Sequence, residues 1–71
     1  MAEELRAEMA ASVRHVAVAE GAAVAEGDTL FVLESMKMEI PVIAETGGTV
    51  LEVPVVEGAV VREGDLLAVI G

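Results

Sequence analysis

The sequence predicts an all-β fold, a flattened eight-stranded β-barrel or sandwich made of two halves related by a pseudo-twofold axis. Three observations carry this prediction. The apolar content is 55% and is dominated by 13 Val and 12 Ala, with Phe31 the only aromatic; Val favours pleated, half-buried strands. The chain repeats itself. Its turns are built on paired glycines, and Gly and β-branched residues recur too often for any helix beyond the first few residues.

The repeat sets Ala7–Glu34, "AEMAASVRHVAVAEGAAVAEGDTLFVLE", above Ala44–Gly71, "AETGGTVLEVPVVEGAVVREGDLLAVIG", at a constant shift of 37 with no gap. Fourteen of the 28 positions are identical, among them Val13/Val50, Glu20/Glu57, Gly21/Gly58, Gly27/Gly64 and Asp28/Asp65. Self-similarity on this scale means one supersecondary unit used twice.

Each element follows from its residues. "ELRA" near the start corresponds to "EIPVIA" before the second copy, and both read as extended. "SVRHVAV" and "TVLEVPV" are Val-rich strands whose Val spacing of three and then two breaks strict alternation. A bulge or bend is expected at that point. Pro54 replaces Ala17 in the second run, which implies an edge position or a missing ladder bond. "EGAAVAEGD" and "EGAVVREGD" are turns in which Gly27, Asp28, Gly64 and Asp65 hold structural positions. "TLFVL" and "LLAVI" are short apolar strands, and "TLFVL" joins "EIPVIA" in a hairpin with Met36 and Lys37 at its tip. If the halves are symmetric, "ELRA" and "LLAVI" pair in the same way, which puts both chain ends together, opposite the lysine.

The totals bound the function. Residues 1–71 make one small domain with a thin core. A net charge of −9 argues against nucleic acid or an anionic membrane as partner, since both require a basic face. No cysteine is present, the acidic start "MAEELRAEM" lacks the pattern of a signal peptide, and no apolar run approaches the ~20 residues that span a bilayer. A cytoplasmic location is expected. No nucleophile–base pair or metal-ligand cluster stands out, and His15, opposite Glu52 in the repeat, reads as solvent-facing.

One stretch resists a purely structural reading. "ESMKMEI", Glu34–Ile40, holds the only lysine in the chain, Lys37, between Met36 and Met38. A two-residue hairpin turn favours Asn-Gly, Asp-Gly or Gly-X because it needs positive φ, and Met-Lys departs from that rule. A lone lysine is ordinarily a solvated charge. A broken local rule at an exposed tip marks function instead.

This stretch, set between the two repeats, closely resembles the biotin attachment sequence of biotinyl carrier domains. The resemblance runs from about Leu5 to Gly71 and takes in Glu34, the Met36-Lys37-Met38 core, the "EIPV" that follows and the "EG…EGD" turns. It is nearest to the small free-standing biotinylated carriers, without the extra "thumb" of some bacterial carriers, and Ser35 stands where many relatives have Ala. It implies a barrel-sandwich hybrid with an exposed hairpin, biotin joined by an amide to Lys37, and Met36 and Met38 read by a biotin protein ligase. Glu34 and Glu39 would flank the site and steer a basic ligase surface, or be solvated strand-end charges. It further implies a carboxyl carrier for an acyl-CoA-type carboxylase, served by biotin carboxylase and carboxyltransferase subunits on separate chains. In isolation it would most simply be a monomer. Two rivals stand beside it: a lipoyl carrier domain, which usually has Asp before and Ala after the lysine, and an unmodified β-sandwich acting as a binding or regulatory module.

Overall fold

The computed structural model describes residues 2–71. Eight strands follow in order: β1 Glu3–Arg6, β2 Ala11–Val16, β3 Ala23–Val24, β4 Thr29–Ser35, β5 Met38–Ile43, β6 Gly48–Glu52, β7 Val60–Val61 and β8 Leu66–Ile70. They form two four-stranded antiparallel sheets, β1-β8-β6-β3 and β5-β4-β2-β7. No strand pairing joins the sheets among the described residues, so the flattened sandwich, not a closed barrel, is the form adopted. The shift of 37 carries β2, β3 and β4 onto β6, β7 and β8, and β1 onto β5. It thereby maps one sheet order onto the other. The repeat in sequence is a twofold in space.

The two-residue strands β3 and β7 lie inside the segments read from sequence as turns, and each crosses to the other copy. β3 pairs with β6, and β7 with β2. This exchange ties the halves together and makes neither copy a separate unit. The irregular Val spacing has the expected consequence, since the ladders shift register between Val13 and His15 and again between Val50 and Glu52. Such a shift frees backbone donors, which must find partners elsewhere. They do so symmetrically: Val16 N–H donates to Glu57 Oε2 at 3.0 Å and Val53 N–H to Glu20 Oε2 at 3.3 Å. These bonds explain why Glu20 and Glu57 are identical in the two copies. His15 is exposed and its Nδ1 lies 3.1 Å from Glu57 Oε2.

The "EGD" turns close in the same paired manner. Gly27 and Gly64 both have φ of +91°, a conformation glycine adopts without steric cost. Asp28 Oδ2 accepts from Ala25 N–H at 2.8 Å and Asp65 Oδ2 from Arg62 N–H at 2.9 Å. Pro54 lies beyond the end of β6, outside any ladder, and Pro41 sits in β5 at a sheet edge. Both placements spare the sheets a missing donor.

Between the sheets Leu30, Phe31, Leu67 and Ala68 are fully buried, with Val13, Val50 and Ile70 close to it. Leu30 and Leu67 are twins under the repeat, as are Phe31 and Ala68, so the one large aromatic breaks the symmetry of the core. No buried side-chain polar atom lacks a partner among the described residues. A dry apolar layer with its polar groups satisfied gives the hairpin a rigid base.

Candidate functional site

The β4–β5 hairpin is the longest pairing in the molecule. It runs from Thr29↔Ile43 to Ser35↔Met38, with one irregularity between Thr29 and Phe31. Its lower half is anchored in the core through Leu30, Phe31 and Leu33. Beyond Leu33 the side chains become half-buried and then exposed, so the last rungs stand out as a rigid support for the tip.

At the tip, Met36 and Lys37 have φ of +55° and +66°. Both are left-handed, as a two-residue type I′ turn demands. The sequence rule is thus met in geometry and broken in chemistry. A residue with a Cβ held left-handed costs about 1–2 kcal/mol, and here two adjacent residues are held so by the ladder beneath them. The result is a tight loop with no slack. Met36 is 91% exposed and Met38 66% exposed, and Lys37 makes no hydrogen bond or ion pair among the described residues. The turn fixes where the root of this side chain sits.

The flanking residues divide. Ser35 is half-buried and pairs with Met38 to close the turn, where its small side chain suits the tight geometry. Glu34 and Glu39 face each other directly across the ladder, an arrangement that repels. Arg14, from β2, offsets it by pairing with Glu34 at 3.0 Å. Glu39 remains exposed and unpaired among the described residues. The sequence reading placed both acids around the tip but did not find Arg14, because partners across a ladder depend on register. A groove of ≈ 520 Å³ between β1 and β5, lined in part by Leu5, Met9, Ile40 and Val42, does not include Lys37.

Glu3 and Gly71 sit at the other end of this hairpin. Gly71 pairs with Thr49 through N–H to O bonds of 2.8 and 2.9 Å, and Thr46, just past the foot of β5, donates to Glu3. Gly27 N–H and Ala44 C=O meet at the same foot, at 2.8 Å. Seven residues of β4 separate that foot from the turn, which is roughly 23 Å of strand.

The molecule is a two-sheet, twofold sandwich with a long hairpin that ends in a left-handed turn bearing one exposed lysine. Comparison with known proteins gives the family. Residues 3–70 match the biotin/lipoyl attachment family, described as "Biotin-requiring enzyme", and the chain belongs to it. Curated relatives include a biotinylated protein TB7.3 homolog of Mycolicibacterium smegmatis, 66% identical over 44 residues. Biotinylated protein TB7.3 of Mycobacterium tuberculosis is 59% identical over the same length. Each match spans 62% of this chain and 62% of the relative.

Among solved structures, a single-chain, multi-domain long-chain acyl-CoA carboxylase superposes with a TM-score of 0.89 at 40% identity, over 96% of this chain and 7% of that one. The urea carboxylase of Kluyveromyces lactis gives 0.90 at 35%, over 100% of this chain and 6% of its own. The lipoyl domain of the 2-oxoglutarate dehydrogenase complex of Azotobacter vinelandii gives 0.85 at 24%, over 96% of this chain and 94% of the other. That last likeness speaks for the shared fold alone.

Proposed function

We propose that this chain is a biotin carboxyl carrier, with biotin joined through an amide to Nζ of Lys37. The observation that supports it is the strained Met36-Lys37 turn, which presents the only lysine of the chain on a rigid hairpin with a thioether on either side. Attachment needs an unhindered amine, and Lys37 offers one. An ammonium is not a nucleophile, so one proton must leave before Nζ attacks the carbonyl of the biotinyl-adenylate. The C–N bond forms as the bond to AMP breaks, AMP departs, and the nitrogen gives up a second proton to become the amide N–H. Once bound, biotin supplies a ureido nitrogen that takes up and releases a carboxyl group.

The rest of the work falls to the residues of the chain. Loss of the ammonium charge turns the lysine stem into a neutral tether. The type I′ turn fixes the root of that tether, and the exposed flanks leave room for it to swing between a biotin carboxylase and a carboxyltransferase on other chains. Tethering raises the local concentration of the carried group at each of them. The carboxylase neighbours in structure support this role, and the acyl-CoA carboxylase among them supports an acyl-CoA as the acceptor class. Met36 and Met38 act as ligase contacts in this scheme, and Glu39, unpaired, as the steering charge. The protein works as a cytoplasmic monomer in the same scheme.

Intact mass of the protein from its own host, beside Lys37→Arg, tests the proposal. The expected result is a biotin-sized addition on the wild type and none on a folded Lys37→Arg. A lipoyl-sized addition would move the chain to the lipoyl carriers. Labelling that survives Lys37→Arg would overturn the site.

A further inference from the structure

The repeat supplies its own control. Residues 7–34 and 44–71 are twins 37 residues apart, and the end of the molecule opposite the tip carries no lysine. Where twins differ in an exposed position, structure alone does not explain the difference. Two such pairs fall close together in the chain. Val60 is 72% exposed and Val56 is 68% exposed, and their twins are Ala23 and Ala19. Ala59 N–H donates to Val56 C=O at 3.1 Å, which closes a turn from Val56 to the residue before Val60.

The ladders place Val60 in line with the tip. Val60 pairs with Ser12, Ser12 with Glu34 and Glu34 with Glu39, one continuous row across β7, β2, β4 and β5. At about 4.8 Å per strand, Val60 lies roughly 10 Å from Glu34. That is well inside the footprint of a standard protein interface, which at about 800 Å² per partner is roughly 30 Å across. Exposed apolar residues elsewhere, Met9, Ile43 and Leu51, are less exposed, at 45%, 49% and 50%. Of the more fully presented ones, Met36 and Met38 lie at or beside the tip, and Val60 lies in the row of Glu34 and Glu39 on the sheet that bears it.

We infer that Val60, with Val56 in the turn before it, extends the biotin protein ligase contact beyond the Met-Lys-Met tip. The inference rests on the carrier reading above. Reach selects the ligase among the partners. An unmodified lysine stem extends only about 6 Å from its Cα, so a ligase that takes Nζ into its active site must lie against the surface around the tip. After biotin is attached the arm is more than twice as long, and later partners can work without touching Val60. Charge agrees with this choice: the same row ends in the unpaired Glu39, which suits a ligase surface with an apolar centre and a basic rim.

The test uses the twin residues as substitutions. Val60→Ala and Val56→Ala are made in the full chain, with Ala23→Val as the control at the other end. Each is checked for an unchanged thermal melt, then titrated as substrate for the host's biotin protein ligase with biotin and ATP. The addition is read by mass. Val60→Ala should raise the KM for the carrier by roughly tenfold to fifteenfold, the loss expected for two buried methylene-sized groups, with kcat little changed. Val56→Ala should give a smaller rise and Ala23→Val none. Wild-type KM for folded Val60→Ala, or an equal effect from Ala23→Val, overturns the inference while leaving the carrier reading intact. A wild-type protein that takes no biotin overturns both.

Discussion

At the residue scale, the strained turn is a place where stability and function pull apart. Met36 holds φ of +55° with a Cβ that disfavours it. Met36→Gly removes that cost and is expected to stabilise the fold by about 1 kcal/mol. For a domain of this size that is a rise in Tm of about 4–8 °C. The same change removes a side chain proposed to contact the ligase, so biotin labelling should fall as the melting point rises. A melt that does not move would show that the turn stores no strain. Lys37 itself was legible in the sequence because it is the only lysine and stands between two methionines. Its left-handed backbone was not, because the residue types there argue against it and only the ladder below enforces it.

Among the elements, the paired "EGD" turns carry the most decisive local bonds. Asp28 and Asp65 each accept one backbone N–H at 2.8–2.9 Å. Replacing either by Ala should cost about 1 kcal/mol, read as a lower urea midpoint at constant slope. The costs should add in the double variant, since the two turns share no partner. Strong non-additivity would mean that the turns are coupled through the sandwich. The strands themselves were readable from Val runs and glycine spacing, and the bulges from the break in alternation. What escaped was the pairing of β3 and β7 across copies, and with it the purpose of Glu20 and Glu57. Those acids bond donors of the opposite copy, and a linear pattern does not say which donors a register shift sets free.

For the whole molecule, the fold was legible because the repeat halves the problem: one unit and a twofold reproduce both sheet orders. The same fact makes the core indivisible. Leu30 and Leu67 belong to different copies and are both fully buried. Leu30→Ala or Leu67→Ala should each cost about 2–5 kcal/mol, against a total of roughly 3–5 kcal/mol for so small a core. Either variant should lose its dispersed amide NMR spectrum throughout, including the half that was not altered. Survival of one half would contradict the exchange of β3 and β7. The position of Glu3 and Gly71 has a mechanical consequence as well. They lie at the foot of the β4–β5 hairpin, and the long dimension of the molecule is 32 Å. A linker joined to either terminus therefore pulls at the foot, and the domain becomes a stiff lever with Lys37 at its free end. A small rotation at such a joint sweeps the lysine through an arc whose radius is set by the length of the hairpin, before the flexible side chain adds its own reach.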